Sequence, residues 1–384
     1  YRRRLYGISQ SFNHLTDMKF IAQKSQIVEA LQNAAAVAER RQTIPILANL
    51  RIKAQNGSVE VTATDLEIQI QASSSVVSTD EEGETTVSAR KMSELCRSLP
   101  DNEEISFSLA SGKLTVASKG FHADFSTISA DDFPELEISE EQTSSLIGAS
   151  VLKRILTKTS FSMASQDVRY YLNGLLLEFD NNEIKGVATD GHRLALASSK
   201  LENKEGLQLK QILPRKAVLE LSKLLPQSEE AVELNVGASY FSVKSGNLQF
   251  STKLIDGKYP DYEKVFPSGD PSSLKIEKEK LQLALSRASV LSNEKYRGVR
   301  FALSEGSLKL TANNPEQESA EEVLEVDYKG SPLEIGFNIG YLLDVLGSVE
   351  TKDVELVFYG EDSSCIIKEP SSDSEVYVIM PMRL

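Results

Sequence analysis

The residues best spaced for chemistry are an aspartate and a histidine, in the run Thr189-Asp190-Gly191-His192-Arg193-Leu194. A carboxylate close to a histidine is a common arrangement in general acid–base catalysis. Histidine is otherwise scarce, since the chain holds three in 384 residues. A hydrolase or a transferase that uses Asp190 and His192 is therefore one hypothesis for this run.

The rest of the sequence favours another role for Asp190. Ala63-Thr64-Asp65 recurs 125 residues later as Ala188-Thr189-Asp190, and Ala312-Asn313-Asn314 follows after a further 124. Asp and Asn at the end of a strand often close a turn by hydrogen bonding to nearby backbone. We interpret Asp190 as a recurring turn residue. The segment Gly191–Leu194 is not repeated, and we predict that it forms one wall of a binding cleft without catalysing a reaction.

The same offset runs through most of the chain. Arg90-Lys91 returns as Arg215-Lys216, and Phe125-Ser126-Thr127 returns as Phe250-Ser251-Thr252. A repeated unit of about 125 residues is the size of a whole domain. We expect three similar domains, at residues 18–143, 144–271 and 272–384. Residues 1–17 are predicted to be a leader before a native start at Met18, with a basic nucleic-acid arm as the alternative.

Hydrophobic spacing predicts the elements of each unit, which are a helix, a strand meander, a second helix and more strands. The expected fold class is α+β with antiparallel sheets. Asn56-Gly57-Ser58 matches a glycosylation sequon, but we interpret it as a hairpin turn between two strands. The predicted helices cover residues 26–38, 90–99, 150–159, 215–224, 277–291 and 338–346.

Composition and charge limit the function. The net charge of −14 argues against a protein whose whole surface grips phosphates. The helix-bearing segments 24–41, 90–97, 150–158, 215–223, 275–287 and 338–347 nevertheless carry +9 together. Either helices simply collect Lys and Arg, or one helical face is basic and meets a polyanion. Two cysteines without a Cys-x-x-Cys pair exclude a disulfide scaffold and a thiolate zinc site and suit a reducing cytoplasm. No nucleotide or metal fingerprint occurs, so no cofactor is expected.

Two further segments could bind partners. Gln166-Asp167-Val168-Arg169-Tyr170-Tyr171 suits contacts to phosphate or stacking on bases. Alternatively a tyrosine packs inward, which we expect for one of the two. Met380-Pro381-Met382 closes the chain, and methionine is frequent at surfaces that take several partners. The alternative for this pair is that it fills an edge of the core.

With these motifs the chain resembles the bacterial replicative sliding clamps, the β subunits of DNA polymerase III, from Met18 to Leu384. The resemblance implies a non-catalytic, head-to-tail homodimer that closes a ring of six domains. Helices would line the ring interior and antiparallel sheets would lie outside, with duplex DNA held topologically. The motifs are Thr43-Ile-Pro-Ile-Leu47, Gln166–Gly174, Ala188–Leu194, Leu291-Ser-Asn-Glu-Lys295, Ala312-Asn-Asn-Pro-Glu316 and Met380–Leu384.

The resemblance also implies site residues. One departure is Lys264, which stands where many members have arginine, and we expect this change to weaken a planar polar contact. For the dimer seam we expect pairing of the strand at 121–127 with the region 287–291, through Phe125, Val290 and Leu291. The DNA contacts implied are Arg41, Arg90, Gln166, Tyr170 and Tyr171. The cleft for peptides of polymerases and the clamp loader comprises Leu172, Thr189, Gly191, His192, Arg193, Leu194, Pro260, Lys264, Val265, Asn338, Tyr341, Val378, Met380, Pro381, Met382 and Arg383.

Overall fold

The computed structural model describes residues 17–38, 44–136, 143–201 and 207–383, apart from the side chains of Asn181 and Leu207. All six predicted helices are present, and their ends lie within three residues of the prediction. They are α1 (Lys24–Ala35), α2 (Ala89–Ser98), α3 (Ala149–Thr159), α4 (Arg215–Leu224), α5 (Lys278–Ser289) and α6 (Ile339–Ser348). Within the described ranges, no helix has the length and apolar character needed to cross a membrane.

The strands alternate with these helices, as expected for an α+β fold. In the first third of the chain they are β1 (Met18–Gln23), β2 (Asn49–Gln55), β3 (Ser58–Thr64), β4 (Ile68–Ser75), β5 (Ser78–Glu81), β6 (Gly83–Ser88), β7 (Glu104–Ala110), β8 (Lys113–Ser118) and β9 (Phe121–Ser126). In the middle third they are β10 (Thr143–Gly148), β11 (Gly174–Asn181), β12 (Glu183–Thr189), β13 (Arg193–Lys200), β14 (Leu207–Pro214), β15 (Ala231–Val236), β16 (Tyr240–Ser245) and β17 (Leu248–Lys253). The last third has β18 (Ser272–Glu277), β19 (Gly298–Ser304), β20 (Ser307–Asn313), β21 (Ser319–Glu325), β22 (Leu333–Asn338), β23 (Asp353–Phe358), β24 (Cys365–Lys368) and β25 (Glu375–Ile379).

The chain separates into two compact units, of which the first contains residues up to 141 together with 242–252. Here β5-β1-β7-β8-β9 form one antiparallel sheet, and β17-β4-β3-β2-β6 follow one another in a second. The predicted Asn-Gly hairpin joins β2 to β3, with Gln55 opposite Ser58. Asn56 and Gly57 have φ angles of 51° and 72°. These left-handed values are those of a type I′ turn, which matches the twist of the flanking strands.

The second unit contains residues 142–241 and 253–384. Its large antiparallel sheet has the order β14-β11-β12-β13-β25-β24-β23-β18, and a smaller sheet has the order β21-β20-β19-β22. The large sheet is continuous because β13, from the second repeat, pairs with β25 at the end of the third. This pairing brings residues that are far apart in sequence to one place, and the candidate site lies there.

Candidate functional site

The predicted cleft has an apolar floor at the junction of β13 and β25. Leu194 lies opposite Val378 in this pairing. Both side chains are buried in one cluster with Leu172, and Val265 packs against that cluster half-buried. Burial of aliphatic side chains accounts for the position of this floor. The structure therefore brings together four predicted cleft residues that are spread over more than 200 positions of the sequence.

The turn from Thr189 to Arg193 is held by its own side chains. The Oδ1 atom of Asp190 accepts hydrogen bonds from the amides of His192 at 2.9 Å and Arg193 at 3.1 Å. The Thr189 hydroxyl donates to the Arg193 carbonyl at 2.6 Å and accepts from the Gly191 amide at 3.1 Å. These are the contacts of a strand-end turn. The interpretation of Asp190 as a turn residue is confirmed.

The same four hydrogen bonds occur in the first repeat. Asp65 Oδ1 accepts from the amides of Glu67 at 2.9 Å and Ile68 at 2.7 Å. The Thr64 hydroxyl donates to the Ile68 carbonyl at 2.8 Å and accepts from the Leu66 amide at 3.1 Å. The turn is thus a shared framework, and only the residues it presents differ between the repeats.

Arg193 links the turn to the third repeat. Its guanidinium donates to Asp190 Oδ2 at 3.1 Å and to Asp344 Oδ2, on α6, at 2.5 Å. It also donates to the Phe161 carbonyl at 2.8 Å. The guanidinium carbon lies 4.5 Å from the centroid of the Tyr341 ring, a distance at which a cation and an aromatic ring attract. Because its side chain is only 11% exposed, Arg193 serves mainly to join these elements.

The end of the chain forms another wall. The Met380 amide donates to the His192 carbonyl at 2.9 Å, and the Met382 amide donates to the Gly336 carbonyl at 2.9 Å. Asn338 caps α6, since its Oδ1 accepts from the Tyr341 amide at 3.3 Å. Met380, Pro381 and Met382 are all half-buried, and His192 is exposed. These contacts place Met380 beside His192, and the tail then runs along β22.

Two cavities border this region. One cavity, of about 460 Å³, is lined by Pro260, Tyr259 and Tyr262, among other residues. Lys264 is exposed nearby and forms an ion pair with Asp261 at 2.9 Å. The other, of about 680 Å³, takes Pro381, Met382 and Arg383 into its lining, together with Glu334, Glu361 and Asp362. Arg300 also lines this cavity, so residues 381–383 face a surface that carries charges of both signs.

Of the residues predicted to touch DNA, Arg90 belongs to the first unit, and Gln166, Tyr170 and Tyr171 belong to the second. Tyr170 is 56% exposed, whereas Tyr171 is half-buried against the apolar floor, so one tyrosine packs inward as expected. Gln166 lies exposed in the preceding loop with a φ of 59°. Arg90 begins α2 in the first unit and lies 3.3 Å from Glu94, and Arg41 lies outside the described residues.

Sequence reasoning missed Arg169, although it lies in a segment that attracted attention. Its side chain donates to both carboxylate oxygens of Asp167, at 3.1 and 2.9 Å, and to the Asp190 carbonyl at 3.3 Å. These hydrogen bonds hold the pKa of Asp167 down at about 2. Arg169 therefore ties the loop that carries Gln166 and Tyr170 to the turn at Asp190.

The strand pairing predicted for the dimer seam needs correction. The region 287–291 is the last turn of α5 and the turn after it, so its backbone cannot add to a sheet. In the smaller sheet of this repeat the edge strand without a described neighbour is β21, because the tail bonds to β22 at the other edge. On the other side of the seam, β9 with Phe125 is an edge strand, as pairing requires. Val290 is 77% exposed and Leu291 is half-buried.

Comparison with known proteins covers nearly the whole chain. Three successive profiles of the DNA polymerase III beta subunit match, for the N-terminal domain at residues 18–137, the central domain at 146–261 and the C-terminal domain at 263–383. The beta sliding clamp of Pseudomonas putida is 44% identical over 367 residues, which are 96% of this chain and 100% of the relative. That of Escherichia coli K12 is 41% identical over 370 residues, with the same coverage.

Solved structures give the same result. A DnaN sliding clamp (DNA polymerase III subunit beta) from Pseudomonas aeruginosa, bound to griselimycin, superposes with a TM-score of 0.93 at 42% identity. The clamp from Bartonella birtlesii, also bound to griselimycin, gives 0.91 at 34% identity. In both cases the match covers 96% of this chain and 100% of the other.

Proposed function

Because the chain belongs to the DNA polymerase III beta subunit family, we propose the roles that its residues take in a sliding clamp. The chain is a non-catalytic processivity factor of DNA replication, which encircles duplex DNA as a homodimeric ring and tethers the polymerase. The observation that carries this function is the run of three clamp-domain matches from residue 18 to residue 383. We propose domain boundaries at 143/144 and 271/272. We also propose a cytoplasmic location, and cell fractionation would test that location.

The cleft for short linear peptides of polymerases and the clamp loader is proposed at the junction of β13 and β25. Its floor would be Leu172, Leu194 and Val378, with Val265 beside them, because these are the apolar side chains that meet there. Met380 and His192 would form the rim. An apolar floor with a few polar groups at its edge suits an apolar peptide side chain whose backbone is held by hydrogen bonds.

Griselimycin provides a defined ligand for this cleft. We propose that it binds this chain as it binds the clamps of P. aeruginosa and B. birtlesii, and that it occupies the apolar floor. Deletion of Met380–Leu384 should remove binding in a calorimetric titration while gel filtration still shows the dimer. Leu283→Ala, at an exposed position of α5 outside the cleft, is the control. Undiminished binding after the deletion would refute the proposed rim.

DNA contacts are proposed for Arg41, Arg90, Gln166, Tyr170 and Tyr171. Tyr170 and Gln166 lie exposed on one loop, which supports DNA contacts by these two residues. A clamp that holds DNA topologically should stay on a nicked circle and leave once the circle is linearised. Equal retention on both would refute encirclement by this protein. Combined substitution of Arg90 and Gln166 by Ala should make the loss from circles slightly less dependent on salt, because only one cationic phosphate contact, that of Arg90, is removed.

The dimer seam is proposed between β9 of one subunit and β21 of the other, with Phe125, Val290 and Leu291 as apolar contacts. Both strands are sheet edges whose backbone groups can pair. Val323→Pro in β21 would block pairing, since proline cannot donate to a ladder. A dimer that persists in analytical ultracentrifugation with this variant would refute the seam, and Val323→Ala, which keeps the backbone amide at the same position, is the control.

A further inference from the structure

The wall of the cleft between Gly257 and Val265 lies over a cavity. Its residues line one side of the 460 Å³ space, and Leu176, Lys210 and Ile212 line the other. Atoms that face a cavity lose the van der Waals contacts that close packing would give. Tyr259 and Tyr262 of this wall are buried in the same apolar cluster as the floor, and on the side of the cavity hydrogen bonds act together with that packing to set where the wall lies.

Two tyrosine hydroxyls supply such bonds. Tyr259 accepts from the Thr189 amide at 3.1 Å, which ties the wall to the turn of the cleft. Tyr262 donates to Glu178 Oε2 at 2.9 Å. Glu178 lies on β11 and is only 7% exposed. Its other oxygen accepts from Lys210 on the neighbouring strand at 2.7 Å, so the carboxylate is held from both sides.

Tyr262 begins the short helix Tyr262–Val265, which carries Lys264 and Val265. A shift of the tyrosine would therefore move two residues of the proposed cleft. The first repeat has Lys53 at the position that matches Glu178, so this carboxylate is not part of the framework that the two repeats share. We propose that Glu178 is a positioning residue for the cleft, acting through Tyr262 on the wall. This inference rests on the proposed function of the cleft.

Griselimycin titration of the full-length dimer tests the inference. Tyr262→Phe and Glu178→Leu should each raise the Kd about tenfold, as expected for one lost hydrogen bond to a charged acceptor. Glu178→Gln keeps an acceptor for the tyrosine and should raise the Kd less. The double variant, with Tyr262→Phe and Glu178→Leu, should bind no worse than either single variant, because the bond can be lost only once.

A general loss of stability would behave differently. It would lower the melting temperature and weaken retention on circular DNA, and the two substitutions would add in their effect on Kd. An unchanged Kd for Tyr262→Phe, or additive effects in the double variant, would overturn the inference. Tyr240→Phe, a tyrosine on β16, is the matched control and should bind like the wild type. Absence of griselimycin binding by the wild type would overturn the proposed cleft, and this inference with it.

Discussion

One lysine of α3 bonds to two carboxylates of very different exposure, which allows a comparison at a single site. Lys158 Nζ lies 2.8 Å from Glu350 Oε1 and 3.6 Å from Glu375 Oε2. The Glu350 side chain is 80% exposed and that of Glu375 is 8% exposed. Arg154, one turn earlier, also bonds to Glu375, at 2.6 Å. The cluster joins α3 of the second repeat to β25, the strand that leads to Met380.

The two neutralising substitutions should differ in cost. Removing one partner of a buried ion pair costs about 3–5 kcal/mol. Glu375→Gln leaves Lys158 with Glu350 and the Ser348 carbonyl, and leaves Arg154 with the Ser198 carbonyl. We therefore expect a smaller loss of about 2–3 kcal/mol in the free energy of unfolding. Glu350→Gln breaks an exposed pair, for which about 0–1 kcal/mol is expected.

Urea unfolding measures both, with wild type and variants at one protein concentration because a dimer's stability depends on it. The chain has no tryptophan, so circular dichroism is the appropriate probe. Glu375→Gln should lower the urea midpoint clearly, whereas Glu350→Gln should leave it nearly unchanged. Equal midpoints for the two variants, or a greater loss with Glu350→Gln, would refute the reasoning that burial sets the strength of this cluster.

Three further predictions concern the same unit. The hydrogen bond from Lys158 lowers the pKa of Glu350 below its ordinary 4.5. The small stability gap between wild type and Glu350→Gln should therefore be present at pH 7 and close as the pH falls below 4.5. Thermal unfolding at pH 7 and at a pH below 4.5 measures this gap. Gly191→Ala should lower the melting temperature, because φ is +88° and a Cβ would lie 3.0 Å from Arg169. Gly347→Ala is the control and should leave the melting temperature unchanged, because its Cβ would meet nothing within 4 Å. Asp190→Ala should cost about 1–3 kcal/mol in urea unfolding, because Asp190 also binds the Arg193 side chain. Asp190→Asn, which keeps the acceptor of the turn, should cost less, and an equal cost would contradict this role of Arg193.

The sequence predicted the elements well because local patterns specify them. Helix spacing placed α4 at its observed ends, and Asn56-Gly57 specified a turn whose backbone few other residue pairs adopt. The turn role of Asp190 could also be predicted, because the repeat gave an internal comparison. Each of these features is specified by residues that lie close together in sequence or at the fixed offset of the repeat.

The errors and omissions concern contacts between distant segments. The expected strand pairing of region 287–291 is wrong, because the helix that apolar spacing predicts there extends to Ser289. Glu178 gave no signal, because an acidic residue within a strand pattern does not indicate that it is buried and bonded to a tyrosine 84 positions later. Arg169 and Asp344 were missed for the same reason. An internal repeat shows which residues belong to the shared fold. It does not show which of the remaining residues contact one another.

The two repeated turns differ at one residue that decides how the second turn connects to its neighbours. Leu66 and Gly191 hold the same place in the turn, with φ angles of 77° and 88°. A side chain in this left-handed conformation is disfavoured, and at Gly191 it would also meet the Arg169 guanidinium. Glycine therefore leaves room for Arg169, which reaches the Asp190 carbonyl and connects the turn to the loop of Gln166 and Tyr170. The absence of a side chain at one position is what lets a repeated turn join the proposed cleft to the proposed DNA contacts.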